Sequence, residues 1–158
     1  MEVYPGMPET TGYHGYGAVD FYGVDEHLGD MAKLKEFVKK AHDNGFVVLQ
    51  DQVVNHTGPY HVWANDPPTP TWFNGTVQNH LSNNWQKWTS MNPRATYQTQ
   101  KRNIDGWFID ILPDLNQNDP EVERYLIQNT LWWIAHVGFD SVRMDTLPHV
   151  PRTFWEKW

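Results

Sequence analysis

The chain of 158 residues is 39% hydrophobic and 15% aromatic, which supplies one ordinary core and argues against disorder. A formal charge of -7, with Lys and Arg spread along the chain, leaves no basic patch for a phosphate backbone, and no run reaches the ~20 apolar residues of a membrane span, so neither nucleic acid nor a membrane is an expected partner. Cysteine is absent, which excludes a disulfide framework and a thiolate metal site, and the opening MEVYPGMPET lacks the cationic and apolar regions of a signal peptide.

In chain order, DMAKLKEFVKKAHDN (Asp30 to Asn44) sets Met31, Leu34, Phe37, Val38 and Ala41 on one side at helical spacing, with Lys33, Lys35, Lys39 and Lys40 outside it. Asp30 can cap the first turn, and Gly45 suits a left-handed stop. FVVLQ, Phe46 to Gln50, then reads as a buried strand running into Asp51 and the polar-ended DQVVNH. Residues 57 to 117 form a long irregular insertion containing NDPPTPTWFNGT and NNWQKWTSMNP; a loop of such length is a lid or an inserted subdomain, here expected to pack over the site. Asp119 and Pro120 open a second helix, with Glu121 and Glu123 favourable in its first turn and Val122, Tyr125, Leu126, Trp133 and Val137 available for packing. Gly138 closes it, a strand follows that ends at Asp145, and RTFWEKW begins another helix.

Twice, then, the chain runs helix, glycine, strand, carboxylate. This alternation predicts an α/β fold of parallel strands with crossover helices, in which the active site gathers at the carboxyl ends of the strands, where Asp51 and Asp145 both fall. In GFDSVRMDTLPH (Gly138 to His149), side chains two apart share a face, so Phe139, Ser141, Arg143 and Asp145 are predicted on one side of the sheet. A cation within ~4 to 6 Å lowers a carboxylate pKa by ~1 to 3 units, which keeps Asp145 ionised beside Arg143 as a nucleophile, a charge stabiliser or one half of a structural ion pair. Asp51, Asn55 and His56 are placed to meet that pair across neighbouring strand tips, and His149 adds a donor. A carboxylate, an arginine, hydroxyl-binding histidines and aromatics on loops, in a chain with nine Trp, seven Tyr and seven Phe, suit a polyhydroxylated, uncharged substrate, for which a sugar is the natural candidate.

Four stretches resemble, in order, the short motifs of the α-amylase family, glycoside hydrolase family 13. GYHGYGAVDFYGVDEHLGD is similar to the loop before the second barrel helix, DQVVNH to the first motif, LPDLNQ to the motif near the end of the inserted subdomain, and GFDSVRMD followed by His149 to the second motif. The resemblance implies a retaining glycosidase acting on α-glucosidic bonds of an α-glucan or malto-oligosaccharide, with Asp145 as the nucleophile that forms a covalent glycosyl-enzyme and Arg143 as the arginine that orients it. It also implies His56 and His149 as substrate-binding histidines, Tyr16 as the tyrosine stacking on the sugar at the cleavage site, and Asp51 as a buried aspartate supporting the arginine. Asn55 and Asp114 match positions that in many members ligate a structural calcium, together with a backbone carbonyl, that of His149; without the resemblance they read equally as turn and capping residues. Two positions depart from the family pattern. Gly17 follows Tyr16 where an aromatic is frequent, which is expected to open the site on that side, and Asn116 brings LPDLNQ closer to neopullulanase-like and cyclomaltodextrinase-like members, a difference that bears on substrate and not on reaction type.

The expected architecture is a partial (β/α)8 barrel, roughly its second to fourth βα units, with barrel segments at 1–56 and 118–158 and an inserted subdomain at 57–117. A retaining glycosidase needs a second carboxyl group ~5 to 5.5 Å from the nucleophile. The family supplies it from the strand after the one ending at Asp145, so the chain is read as an internal segment that depends on the rest of its barrel and is marginally stable and inactive alone. A transglycosylase of the same family and a non-catalytic carbohydrate-binding barrel are the alternatives. A metallohydrolase is disfavoured because His27, His42, His61, His80 and His136 lack the spacing of a three-ligand zinc site. Large glucans are degraded outside the cytoplasm and small imported ones within it, and the residues fit either compartment.

Overall fold

The structure, a computed structural model, describes residues 3–158. Near the start, β1 (Val3–Tyr4) and β2 (Met7–Thr11) pair antiparallel around Gly6, whose φ of +72° suits glycine. Tyr4 turns inward onto Phe108 and Leu112 in a small apolar cluster. Strands this short leave no periodicity in the sequence.

The helix expected after Asp30 forms as α1 (Met31–Asp43), with the Asp30 side chain accepting the Lys33 N–H at 2.8 Å. It closes in a Schellman arrangement: the Gly45 N–H, at φ +78°, bonds to the His42 carbonyl at 2.9 Å and the Phe46 N–H to that of Ala41 at 3.0 Å. Phe46 is thereby held by the helix end, which displaces the strand. It forms as β3 (Leu49–Gln52) and not from Phe46 to Gln50. Phe46 and Val47, expected to be buried, are 67% and 72% exposed, because β3 has a single neighbour and no layer of described residues covers that side. Phe37 is also exposed; Val38 makes the inward contact, packing with Trp133, Val137 and Phe139.

The insertion is more ordered than its composition implies. β4 (Leu81–Ser82) runs parallel to β5 (Gly106–Trp107), and between them α2 (Tyr97–Ile104) is capped by Thr96, whose hydroxyl accepts the Thr99 N–H at 3.2 Å. YQTQKRNI has little apolar periodicity, so this helix rests on its cap and on the burial of Asn103. Trp72, Phe73 and Leu115 of the insertion pack with Phe21, Val54, Val122, Leu126 and Phe154 in the main core, so the insertion and its flanking segments share one interior.

Asp119 opens α3 (Pro120–Val137), and Gly138 closes it at φ +88° with its N–H on the Ile134 carbonyl at 3.0 Å. β6 (Ser141–Met144) then runs parallel to β3, with Asp51 opposite Arg143, before α4 (Arg152–Lys157). Because β6 begins only at Ser141, Phe139 does not share the face of Arg143 as simple alternation implies; it turns to the helices and packs on Val38 and Trp133. The described residues therefore form part of an α/β barrel wall, one parallel strand pair backed by α1 and α3, and no closed barrel. No helix among them is long and apolar enough to cross a membrane.

Asp119 joins two of these parts. Its Oδ2 accepts the Thr71 hydroxyl at 2.6 Å and its Oδ1 the Glu121 N–H at 2.9 Å. The Thr71 hydroxyl first, and the backbone N–H after it, hold the carboxyl below its usual pKa. Asp119→Ala is expected to cost about 1–2 kcal/mol, read as a lower urea midpoint. The contribution is intact above the ordinary aspartate value of ~3.9 and fades as pH falls through the lowered native value, so wild type and variant converge in acid.

Candidate active site

The parallel register puts Asp51 beside Arg143 at the carboxyl ends of β3 and β6. Arg143 Nη1 donates to Asp51 Oδ1 at 2.8 Å and Oδ2 at 3.0 Å, and to Asp145 Oδ1 at 2.8 Å. One guanidinium nitrogen thus ties together carboxylates from two strand tips. Hydrogen bonds donated to Asp51, then its charge and that of Asp145, raise the Arg143 pKa. Asp145 extends the ladder by one bond, its N–H to the Gln52 carbonyl at 2.9 Å. The chain breaks away at Thr146, whose φ of +52° is costly for a β-branched residue and ends the strand immediately past Asp145.

Tyr16 reaches this pair from the loop before α1. Its Oη donates to Asp51 Oδ2 at 3.2 Å and its ring stacks on His14 at 5.3 Å. His56 holds the backbone of Tyr16: its Nε2–H donates to the Tyr16 carbonyl at 3.0 Å, while Asn55 Nδ2 donates to its Nδ1 at 3.2 Å. These two bonds select the neutral Nε2–H tautomer. Burial pushes the His56 pKa down to about 4, partly opposed by the Tyr16 carbonyl. In this conformation both ring nitrogens are committed to protein groups, and His56 positions Tyr16. Gly58 permits the close approach, since a Cβ there would stand 2.2 Å from the Gly17 carbonyl oxygen. Gly17 does not open the site: Tyr4 fills the space, and a Cβ on Gly17 would meet Tyr4 Oη at 2.3 Å.

His149 lies deeper than a loop histidine, 6% exposed, with Nδ1 3.0 Å from the Asn103 carbonyl oxygen. Phe108 contacts both histidines, its ring centre 5.2 Å from His56 and 4.8 Å from His149. Asn83 and Asn103, unremarked in the sequence because asparagine in a polar insertion reads as loop, are both buried, and Asn83 Nδ2 donates to the Asn103 carbonyl at 3.1 Å. A cavity of about 270 Å³ lies on the Asp51 side of the site, walled by Tyr16, Phe21, Gln50, Asp51, Gln52 and Asn129.

Asn55, Asn103 and Asp114 are fully buried, and each has an Oδ1 without a hydrogen-bond partner. The other Asp114 oxygen accepts Asn74 Nδ2 at 2.8 Å. Burial pushes the Asp114 carboxyl well above the usual range, against the opposing Asn74 and Asn55 amides. The segments adjoin: the Leu115 N–H bonds to the Asn55 carbonyl at 2.8 Å, and Asn103 Nδ2 to the Pro148 carbonyl, next to His149, at 2.9 Å. Buried oxygens left without donors, one of them a carboxylate, fit a hard cation bound by few charges. No trio of His, Asp and Glu side chains suited to a metal occurs among the described residues.

Parallel strands that bring two carboxylates and their shared arginine to their carboxyl ends place these groups on the face of an α/β barrel where active sites form. The chain belongs to the α-amylase family: residues 3–157 match the family model of the alpha-amylase catalytic domain. It is 35% identical over 148 residues to the beta/alpha-amylase of Paenibacillus polymyxa, covering 90% of this chain and 11% of that protein. It is 30% identical over 152 residues to the cyclomaltodextrinase of Thermoanaerobacter pseudethanolicus, covering 92% and 24%. The chain therefore spans between about a tenth and a quarter of the length of these curated relatives. Among solved structures, the α-amylase of Geobacillus thermoleovorans in complex with acarbose superposes with a TM-score of 0.76 at 37% identity, over 98% of this chain and 31% of that one.

The buried histidine gives the site a pH signature. With a native pKa of about 4, below the ~6.5 of an unfolded histidine, His56 binds its proton later than the unfolded chain as pH falls. Its contribution lowers stability progressively from pH ~6.5 to ~4, by at most about 3 kcal/mol. The raised Asp114 pKa acts in the opposite sense, binding a proton earlier in the native state. His56→Gln is expected to flatten the acid-side fall of Tm; an identical fall in the variant removes His56 as its source.

Proposed function

We propose that this chain supplies the nucleophile-bearing part of a retaining α-glucan glycoside hydrolase that cleaves α-glucosidic bonds of starch-like oligo- or polysaccharides or of cyclodextrins. The observation that carries this reading is the double engagement of Arg143 Nη1, 2.8 Å from both Asp51 Oδ1 and Asp145 Oδ1. Arg143 takes Oδ1 of Asp145 and leaves Oδ2 to attack the anomeric carbon, forming a glycosyl-aspartate as the bond to the leaving sugar breaks. Tyr16 offers its ring to the sugar at the cleavage site, His149 lines that site, and His56, through the Tyr16 carbonyl, and Asp51, through Arg143, act as positioning residues. The leaving oxygen takes its proton from a second carboxyl, which then activates water on the intermediate. We assign that group, with the remaining strands, to the parent barrel, and residues 57–117 to a subdomain walling the site. Asp145→Asn in the protein as its gene encodes it is expected to lose turnover, measured as reducing-sugar release, while keeping maltoheptaose binding by calorimetry. Substantial residual hydrolysis overturns the nucleophile assignment, and a first product of inverted anomeric configuration by NMR overturns the covalent route.

We propose further that Asn55, Asp114 and the His149 carbonyl hold a structural calcium ion, with Asn103 Oδ1 as an additional oxygen. What supports this is the set of buried, partnerless oxygens on adjoining segments. Bound there, the ion supplies cross-linking of the insertion to the strand tips. Burial raises the Asp114 pKa, so protonation of that carboxyl and binding of the ion compete. Calcium at 100 times its Kd is expected to stabilise the wild type by about 2.7 kcal/mol, with the effect lost in Asp114→Asn. Equal stabilisation of the variant removes Asp114 from the ion's ligands.

A further inference from the structure

Within the insertion, the loop after β4 presents one aromatic side chain whose conformation burial does not explain. Trp85 has a φ of +56°, a left-handed conformation that costs a bulky residue free energy, yet its side chain is 52% exposed. It is held there from below. The Trp85 N–H donates to Asn83 Oδ1 at 2.7 Å, and buried Asn83 is itself anchored through Nδ2, 3.1 Å from the Asn103 carbonyl oxygen and 3.3 Å from His149 Nδ1. The indole leans on Phe108, with ring centres 4.4 Å apart and planes 31° apart, and sits 6.4 Å from the His149 ring. Phe108 in turn contacts His56, which holds the Tyr16 carbonyl, and Tyr16 bonds Asp51. A line of rings therefore leads from the carboxylate site outward to a half-exposed indole, which Trp88, 61% exposed but without such backing among the described ring contacts, does not share.

We propose that Trp85 is a stacking platform for a sugar ring of the substrate beyond the one at Tyr16, so that the site favours malto-oligosaccharides long enough to reach the insertion; this rests on the glycosidase reading above. The flat indole offers an apolar face to the C–H side of a pyranose, while the sugar's hydroxyls remain in water, and its fixed backbone means little ordering is left for the substrate to impose. The left-handed turn keeps the ring half in solvent while it rests on Phe108 beside His149.

The test compares substrates of two lengths in the protein as its gene encodes it. Trp85→Ala is expected to raise KM for maltoheptaose by about three- to tenfold while leaving kcat, and KM for maltotriose, unchanged. Trp85→Tyr restores most of the difference. Calorimetric binding of maltoheptaose in the Asp145→Asn background reports the same loss without turnover. Should Trp85→Ala fail to fold, Trp85→Leu carries the same comparison. An equal loss on both lengths, which a purely structural residue gives, or no loss on maltoheptaose overturns the inference alone. A wild type that neither binds nor cleaves any malto-oligosaccharide overturns the glycosidase reading and this inference with it.

Discussion

One guanidinium nitrogen, shared between carboxylates on two parallel strands, is the interaction on which the arrangement of the site depends. Its value does not lie in stability. The Arg143 and Asp51 side chains are 53% and 45% exposed, and ion pairs so open to water contribute little to folding. What the bonds fix is position. The tips of β3 and β6 are held in the register that sets Asp51 against Arg143, and Asp145, its side chain 21% exposed, is presented one residue past the ladder. Thr146, in its left-handed conformation, then turns the chain away from the direction of β6.

Everything around that pair is a succession of supports taken from distant segments. His56 grips the carbonyl of Tyr16, Tyr16 bonds Asp51, and Asp51 bonds Arg143. On the other flank, Asn83 and Asn103 engage His149, and Phe108 fills the space between the two histidines. The insertion is continuous with the body beneath it, since Trp72, Phe73 and Leu115 belong to the same core as α3 and α4.

The sequence was most legible where local chemistry decides the structure. Asp30, Gly45, Asp119, Pro120 and Gly138 mark the ends of α1 and α3 in ways that capping explains, and the strand tips bearing Asp51 and Asp145 follow from the helix, glycine, strand order. It was less legible where the outcome depends on a neighbour. Phe46 is claimed by the end of α1 because its N–H completes a Schellman bond, which no hydropathy pattern encodes, and Phe139 turns to the helices because β6 starts two residues later. Asn83, Asn103 and Trp85 were hidden for the same reason: their roles come from burial and from bonds across the insertion, and their residue types match any polar loop. Gly17 suggested an opening, and only the position of Tyr4, contributed by a two-residue strand, closes it.

The separation of the two strands along the chain also has a kinetic side. Asp51 and Arg143 are 92 positions apart, so their pairing closes a loop that contains the whole insertion. At translation rates of about 5–20 residues per second, Asp51 leaves the ribosome roughly 5 to 20 s before the arginine it will bind. During that interval β3, with its free edge and the uncovered Phe46 and Val47, has no parallel partner, and sheets that wait on such distant contacts form slowly. The strand that carries the arginine and the aspartate is thus also the one that gives β3 its parallel partner, and assembly of the Asp51, Arg143 and Asp145 contact coincides with the covering of one edge of β3.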